Sequence, residues 1–167
     1  MRTTTPTRRD GCSCGSSSRT PNGGTSKASS SGGSEAVPAA ENAEVVRRIF
    51  DAFARQQGFA LRGLFAEDAT WVVPGDGVMA GTFEGREQIF RFLARLPKQT
   101  GGTYGSRLID VLASDDRAAA LYRAFGSRRG RALDIDQVLL FRIEDGLVRH
   151  VLALPCDPAA FEEFWAA

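Results

Sequence analysis

Three polar residues of this chain fall in stretches that predict mostly apolar strand faces, and they are the first candidates for chemistry. They are Tyr122, Gln137 and His150. His150 is the only histidine of the chain, and an imidazole can take up or release a proton near neutral pH. A tyrosine hydroxyl can orient an oxygen atom of a bound molecule. These residues predict a general acid–base site in which His150 moves a proton and Tyr122 positions the ligand.

The predicted strand that carries Gln137 has a simple alternating pattern. Between residues 133 and 143, the odd-numbered positions are apolar except for Gln137. Successive side chains of a strand point to opposite faces of the sheet. We therefore expect the odd set to face the core, with Leu139 and Phe141 beside Gln137 in the wall of an interior pocket.

The same alternation assigns faces in two neighbouring predicted strands. In 118–126, Tyr122 shares a face with alanines and Gly126. In 147–154, the rule turns Val148, His150 and Leu152 toward the interior and Arg149 away from it. A tyrosine, a glutamine and a histidine on such faces could also be core polar groups with satisfied hydrogen bonds, and this alternative stays open.

Two helices are predicted before the strands. The first, from about residue 42 to 57, has an apolar stripe that includes Phe53, with Asn42 as N-cap and Gly58 as the stop. A helical turn is expected at 61–65 and a strand at 70–73, which contains Trp71. A Gly-rich loop follows, and a second helix is expected between Gly85 and Pro97.

Four longer strands follow, at 104–113, 118–126, 133–143 and 147–154. Short turns between them, including Asp145-Gly146, predict an antiparallel meander. Asp157-Pro158 is expected to cap a last short helix. Helices first and an antiparallel sheet afterwards indicate an α+β domain.

The even-numbered residues of the strand 133–143, which are expected to face outward, are unusual because the middle of this set is apolar. Val138 and Leu140 lie there between Asp136 and Arg142. A sheet face in contact with water does not need this pattern. We expect a second copy of the chain to cover the face, which predicts a homodimer through the sheet.

The first 40 residues differ in composition from the rest. They are rich in Ser, Thr and Gly and nearly free of large apolar residues, so they predict a disordered tail, 1–40, before a domain at 41–167. The formal net charge of +1 gives no reason to expect nucleic-acid binding. No apolar run is long enough to predict a membrane span.

Cysteine usage predicts the compartment and bears on metal binding. The chain has three cysteines, Cys12, Cys14 and Cys156, without the spacing of a disulfide framework, which favours the reducing cytoplasm. Cys12 and Cys14 in the tail are interpreted as exposed thiols, because a zinc site needs about four ligands. Neither a metal nor an organic cofactor is expected.

Several short motifs resemble the SnoaL-like branch of the NTF2-like superfamily, and the resemblance covers about the last three quarters of the chain. It implies a strongly curved sheet wrapped around the helices as a cone, with a mostly apolar pocket at its open end, Tyr122 looking inward and Trp71 as a wall. Sheet-to-sheet dimers are common among its members. The matching segments are 64–71, Pro74-Gly75, 81–83, 85–87, 110–113, 141–146 and 157–165.

Catalytic positions of related enzymes can be compared residue by residue. Matching the ketosteroid isomerases places their base and oxyanion-binding groups at Val73, Leu139 and Ile49, which are all apolar here. Apolar side chains cannot accept or donate the required proton, so that mechanism is excluded. The polyketide cyclases of the branch need an acid–base group, and His150 is the first candidate, with Asp76 at the mouth of the pocket a weaker one.

The limonene epoxide hydrolases use an Asp–Arg–Asp relay. Asp134, Asp136 and Arg142 share one strand face here, but that face is expected to point outward. Two functions therefore remain. One is an acid–base cyclase, isomerase or hydratase acting on a small apolar ligand without a cofactor, and the alternative is a non-catalytic ligand-binding or dimerisation module. Polar groups converging on an enclosed cavity would favour the enzyme.

Overall fold

The computed structural model describes residues 39–166. Residues 1–38, which contain Cys12 and Cys14, and Ala167 lie outside the described residues, so the predicted tail remains a prediction. No helix within 39–166 is long and apolar enough to cross a membrane.

The described part of the chain consists of four helices and one six-stranded sheet, in an α+β arrangement as expected. Apolar stripes on α1 and α3 pack against the inner face of the sheet, and this interface forms the core. The elements are α1 (Ala39–Ala54), α2 (Gly58–Arg62), β1 (Phe65–Val73), β2 (Gly81–Glu84), α3 (Arg86–Gln99), β3 (Gly105–Ala113), β4 (Arg117–Arg128), β5 (Arg131–Glu144), β6 (Leu147–Pro155) and α4 (Pro158–Ala166).

The sheet has the strand order β2-β1-β6-β5-β4-β3. Strands β3 to β6 form the predicted antiparallel meander, and β1 joins it as a parallel neighbour of β6. The sheet is curved and does not close into a barrel. Two strands are therefore edges, β2 on one side and β3 on the other.

Several predicted boundaries of helices and strands were wrong. At each of them, the local residue pattern is compatible with more than one kind of secondary structure. Asn42 is not an N-cap but a fully buried residue inside α1, and its Nδ2 donates to the backbone oxygen of Ser114 over 2.8 Å. Phe65 does not end a helix but begins β1. The loop expected near Gly81 contains β2, which pairs with β1. Pro97 lies inside the last turn of α3, which continues to Gln99.

The main correction concerns β6, where a bulge interrupts the alternation. His150 pairs with Arg142 of β5, whereas Val148 pairs with the adjacent Ile143, so Arg149 is an extra residue. Such a bulge shifts the faces of the strand by one position. Val148 and Val151 consequently point inward and are fully buried, and the alternation then turns His150 and Leu152 outward with Arg149.

Candidate functional site

The inner face of the sheet and the helices enclose a small, mostly apolar cavity. Its volume is about 60 Å³. Aromatic and aliphatic side chains from α1, α3, β1, β4 and β5 form most of its wall. They include Phe50, Phe53, Leu93, Trp71, Tyr122 and Leu139.

A larger opening of about 580 Å³ adjoins this cavity and forms its mouth. The two spaces are adjacent because both are lined by Phe53, Leu61, Leu93, Tyr104 and Ser106. The mouth lies between the end of α1, α2, α3 and the edge strand β3. A molecule entering the cone there meets mainly apolar surface.

Two tyrosines supply polar groups to the interior. The Tyr122 hydroxyl donates to Oε1 of Gln137 over 2.9 Å, and both side chains are buried. Burial raises the pKa of Tyr104 to about 12, although interaction with the neighbouring Tyr122 hydroxyl offsets part of the rise. Burial, and then the neighbouring Tyr104, raise the pKa of Tyr122 well above its ordinary value. Both phenols therefore stay protonated near neutral pH.

Two buried nitrogen atoms of the inner face have no hydrogen-bond partner among the described residues. One is Nε1 of Trp71, whose side chain lines the cavity, and the other is Nε2 of Gln137. An unpaired buried donor costs about 1–3 kcal/mol. The indole N–H of Trp71 is thus an unpaired buried donor, among the described residues, on a side chain of the cavity wall.

His150 lies on the opposite, outer face of the sheet. Its Nδ1 is 2.6 Å from the Thr70 hydroxyl of β1. Both residues line an outer groove of about 730 Å³ with Leu140 and Leu152. Three arginines border the groove, and each forms an ion pair with a carboxylate, namely Arg117 with Asp116, Arg142 with Glu144, and Arg149 with Asp68.

Comparison with known proteins places this fold in a family. Residues 46–151 match the model of the SnoaL-like domain. The chain belongs to the SnoaL-like domain family. It is 36% identical over 124 residues to the uncharacterized protein Rv0034 of Mycobacterium tuberculosis, which covers 74% of this chain and 95% of that protein.

Two solved structures of similar fold extend this finding. Bal32a, from a soil-derived mobile gene cassette, is 38% identical with a TM-score of 0.74, over 76% of this chain and 98% of that one. TerC, co-crystallised with polyporic acid, is 24% identical with a TM-score of 0.67, over 76% of this chain and 99% of that one. The latter likeness concerns the fold alone. These relationships confirm the resemblance inferred from the sequence motifs.

In this SnoaL-like domain the predicted site residues divide into three groups. Phe53, Trp71, Tyr122 and Leu139 lie together in the cavity wall. Gln137 and Phe141 are buried on the same inner face but do not line the cavity. His150 and Leu152 are on the other side of the sheet, so the predicted pairing of His150 with Tyr122 inside the cone was wrong.

The sequence reasoning missed two polar residues of the interior, Tyr104 and Ser106. Both line the cavity and its mouth. Tyr104 directly precedes β3, and Ser106 shares the inner face with Leu108 of that strand. Alternation along 104–108 could have indicated both residues, but the glycine at 105 and the low hydrophobicity of this stretch obscured the pattern.

The other acidic candidates lie outside the cone. Asp134 and Asp136 form ion pairs with Arg123, at 2.7 Å and 3.1 Å, rather than with Arg142. The hydrogen bond from Arg123 lowers the pKa of Asp134. Asp76 is exposed in the loop after β1. Within residues 39–166, no cluster of three or more His, Cys, Asp or Glu side chains could hold a metal ion.

Proposed function

We propose that this SnoaL-like domain binds a small, mostly apolar molecule inside the cone and holds an oxygen atom of that molecule by hydrogen bonds. The observation that carries the proposal is that Trp71 lines the apolar cavity and that its buried Nε1 has no hydrogen-bond partner among the described residues. A ligand oxygen that accepts this hydrogen bond would remove the cost of the buried donor. Co-crystallisation of TerC with polyporic acid agrees with small-molecule binding in this fold.

The proposed activity is binding rather than proton transfer. Among the described residues, those lining the inner cavity include no histidine or carboxylate, and Tyr104 and Tyr122 are its only titratable groups. A phenol with a pKa of about 12 can donate a hydrogen bond but is a poor base at neutral pH. The acid–base hypothesis required His150 inside the cone, and its imidazole lies on the outer face.

A comparison of indanone with indane, which lacks the carbonyl oxygen, tests the proposal. Trp71→Phe keeps an aromatic wall but removes the N–H. We expect it to weaken indanone binding about fivefold, equivalent to ~1 kcal/mol, and to leave indane binding unchanged. Isothermal titration calorimetry would measure both affinities.

Trp165→Phe is a matched control. Nε1 of Trp165 is also buried without a partner, but this residue lies on α4 and does not line the inner cavity. It should change neither affinity. Failure of wild-type protein to bind either compound, or equal losses for indanone and indane in Trp71→Phe, would contradict the proposed role.

The outer sheet face favours a second proposal, a homodimer. Val138 and Leu140 lie at its centre as expected, and Leu140 is 39% exposed. Leu112 and Leu152 extend this apolar surface into the outer groove. Covering such a strip by a second copy would remove apolar area from water.

Light scattering on Leu140→Glu tests the dimer. A dimeric wild type should become monomeric, because the new carboxylate would be buried without a partner. Val78→Glu, at an exposed apolar residue away from the sheet face, should leave the mass unchanged. A monomeric wild type, or a Leu140→Glu variant that stays dimeric, would exclude an interface centred on this residue.

A further inference from the structure

Phe125 covers a gap at the open edge of the sheet. It lies on β4 and pairs with Gly105 of the edge strand β3. A Cβ atom at residue 105 would lie 2.3 Å from Cζ and 2.6 Å from Cε2 of Phe125. The phenyl ring therefore occupies the space in which any other residue at 105 would place its side chain.

This ring is also part of the mouth of the cone. Phe125 lines the mouth together with Gly105, Tyr104 and Ser106. It borders the outer surface near Asp134 as well, and 44% of it is exposed. At this edge, the Phe125 ring is thus a wall between the mouth and the outer face of the sheet.

The small size of the inner cavity makes this wall relevant to a ligand. The inner cavity, at about 60 Å³, is much smaller than the mouth, at about 580 Å³. A ligand whose oxygen atom reaches Trp71 must therefore leave most of its apolar body in the mouth. The outer end of an elongated body would then lie near the mouth residues of β3 and Phe125.

We propose that Phe125, positioned over Gly105, selects ligands by length, an inference that rests on the proposed binding function. Its ring is the apolar surface against which the outer end of an elongated ligand packs. Short ligands remain between Trp71 and Leu93 and do not reach it. Gly105 is required because any larger residue would displace the ring from the edge.

A purely structural role for the Phe125–Gly105 pair makes a different prediction. An aromatic ring over a glycine can stabilise an edge strand by covering its backbone. Loss of that cover would lower the stability of the domain without regard to the length of a ligand. A dependence of affinity on ligand length therefore separates the two roles.

A series of methyl alkyl ketones, from methyl pentyl to methyl nonyl ketone, tests the proposal by isothermal titration calorimetry. In the wild type, affinity should rise about fourfold for each buried methylene group. Phe125→Ala should weaken binding of the longest ketone about tenfold and that of the shortest less than twofold. Gly105→Ala should give the same pattern with the phenyl ring still present but displaced.

Phe59→Ala is the matched control, because Phe59 is 94% exposed on α2 and does not line the mouth. It should leave the whole series unchanged. Circular dichroism would establish that each variant is folded, and either Phe125→Ala or Gly105→Ala suffices if the other does not fold. Equal effects on all ketones, or none, would overturn the role of Phe125 while the proposed function stands. Failure of every ketone to bind the wild type would overturn both.

Discussion

Replacing Tyr122 with Phe tests whether the hydrogen-bonded pair Tyr122–Gln137 lies in a part of the core that water cannot reach. The change keeps the aromatic ring, whose centroid lies 5.2 Å from that of Phe50, and removes only the hydroxyl that donates to Gln137. Gln137 would then lose the partner of its Oε1, while its Nε2 already has none among the described residues. The variant therefore leaves a buried amide without a partner among the described residues.

The expected loss of stability follows from these contacts. Leaving a buried polar group unpaired costs about 1–3 kcal/mol, so we expect Tyr122→Phe to lower the free energy of unfolding by about 2 kcal/mol. For a domain of this size, that corresponds to a fall of roughly 6–8 °C in the melting temperature. The double variant Tyr122→Phe/Gln137→Leu removes both partners and should recover most of the loss.

Urea denaturation followed by circular dichroism would measure both free energies. A loss below ~0.5 kcal/mol in Tyr122→Phe would refute this reasoning. If water cannot reach the Gln137 amide, the amide has no replacement partner and keeps the full cost of an unpaired buried group. That result would mean that water reaches Gln137. Water would then enter the interior of the cone in spite of its apolar wall.

Two further predictions concern titration and the outer face. The folded-state pKa of Tyr104 is raised from 10.0 to about 12, so its contribution is present below about pH 10 and is lost as pH rises toward about 12. The loss is at most roughly 3 kcal/mol. Urea denaturation at several alkaline pH values should show a smaller decline in Tyr104→Phe, and equal declines would contradict the assignment. His150→Leu should leave indanone affinity within about twofold of wild type, because His150 faces away from the cone; a larger effect in calorimetry would place the ligand on the outer face.

The alternation of apolar and polar residues along the long strands made much of the fold predictable from sequence. The odd-numbered residues of β5, such as Leu139 and Phe141, were assigned correctly to the inner face. For Tyr122 on β4 the family resemblance gave the inward direction. Apolar and polar residues alternate there without interruption, and tertiary packing follows the pattern. The order of the elements predicted the α+β class for the same reason.

The faces of β6 could not be predicted in this way. Val148, His150, Leu152 and Leu154 fit one regular strand face as well as the actual arrangement does. The extra residue, Arg149, is recognised only from the pairing with β1 and β5, which a single sequence does not contain. One unrecognised bulge was enough to place the only histidine on the wrong side of the sheet.

The candidate site was predictable only in part. Trp71 was assigned to it from the family resemblance, and Phe53 lies on the apolar stripe predicted for the first helix. Tyr104 and Ser106 were missed because they flank Gly105, where the alternation is least visible. The unpaired state of the Trp71 nitrogen depends on the positions of all surrounding atoms and has no signature in the sequence.

The irregular pairing of β3 has a consequence for how molecules of this protein meet at high concentration. The ladder between β3 and β4 is interrupted between Leu108 and Asp110, and no strand of the described part of the chain pairs with the other side of β3. An uninterrupted edge carrying exposed apolar residues, such as Ile109 and Leu112, would be a template for the strands of another molecule and could start fibril growth. The interruption bends this edge and places the carboxylate of Asp110 along it. We expect it to discourage edge-to-edge aggregation while leaving the edge open beside the mouth.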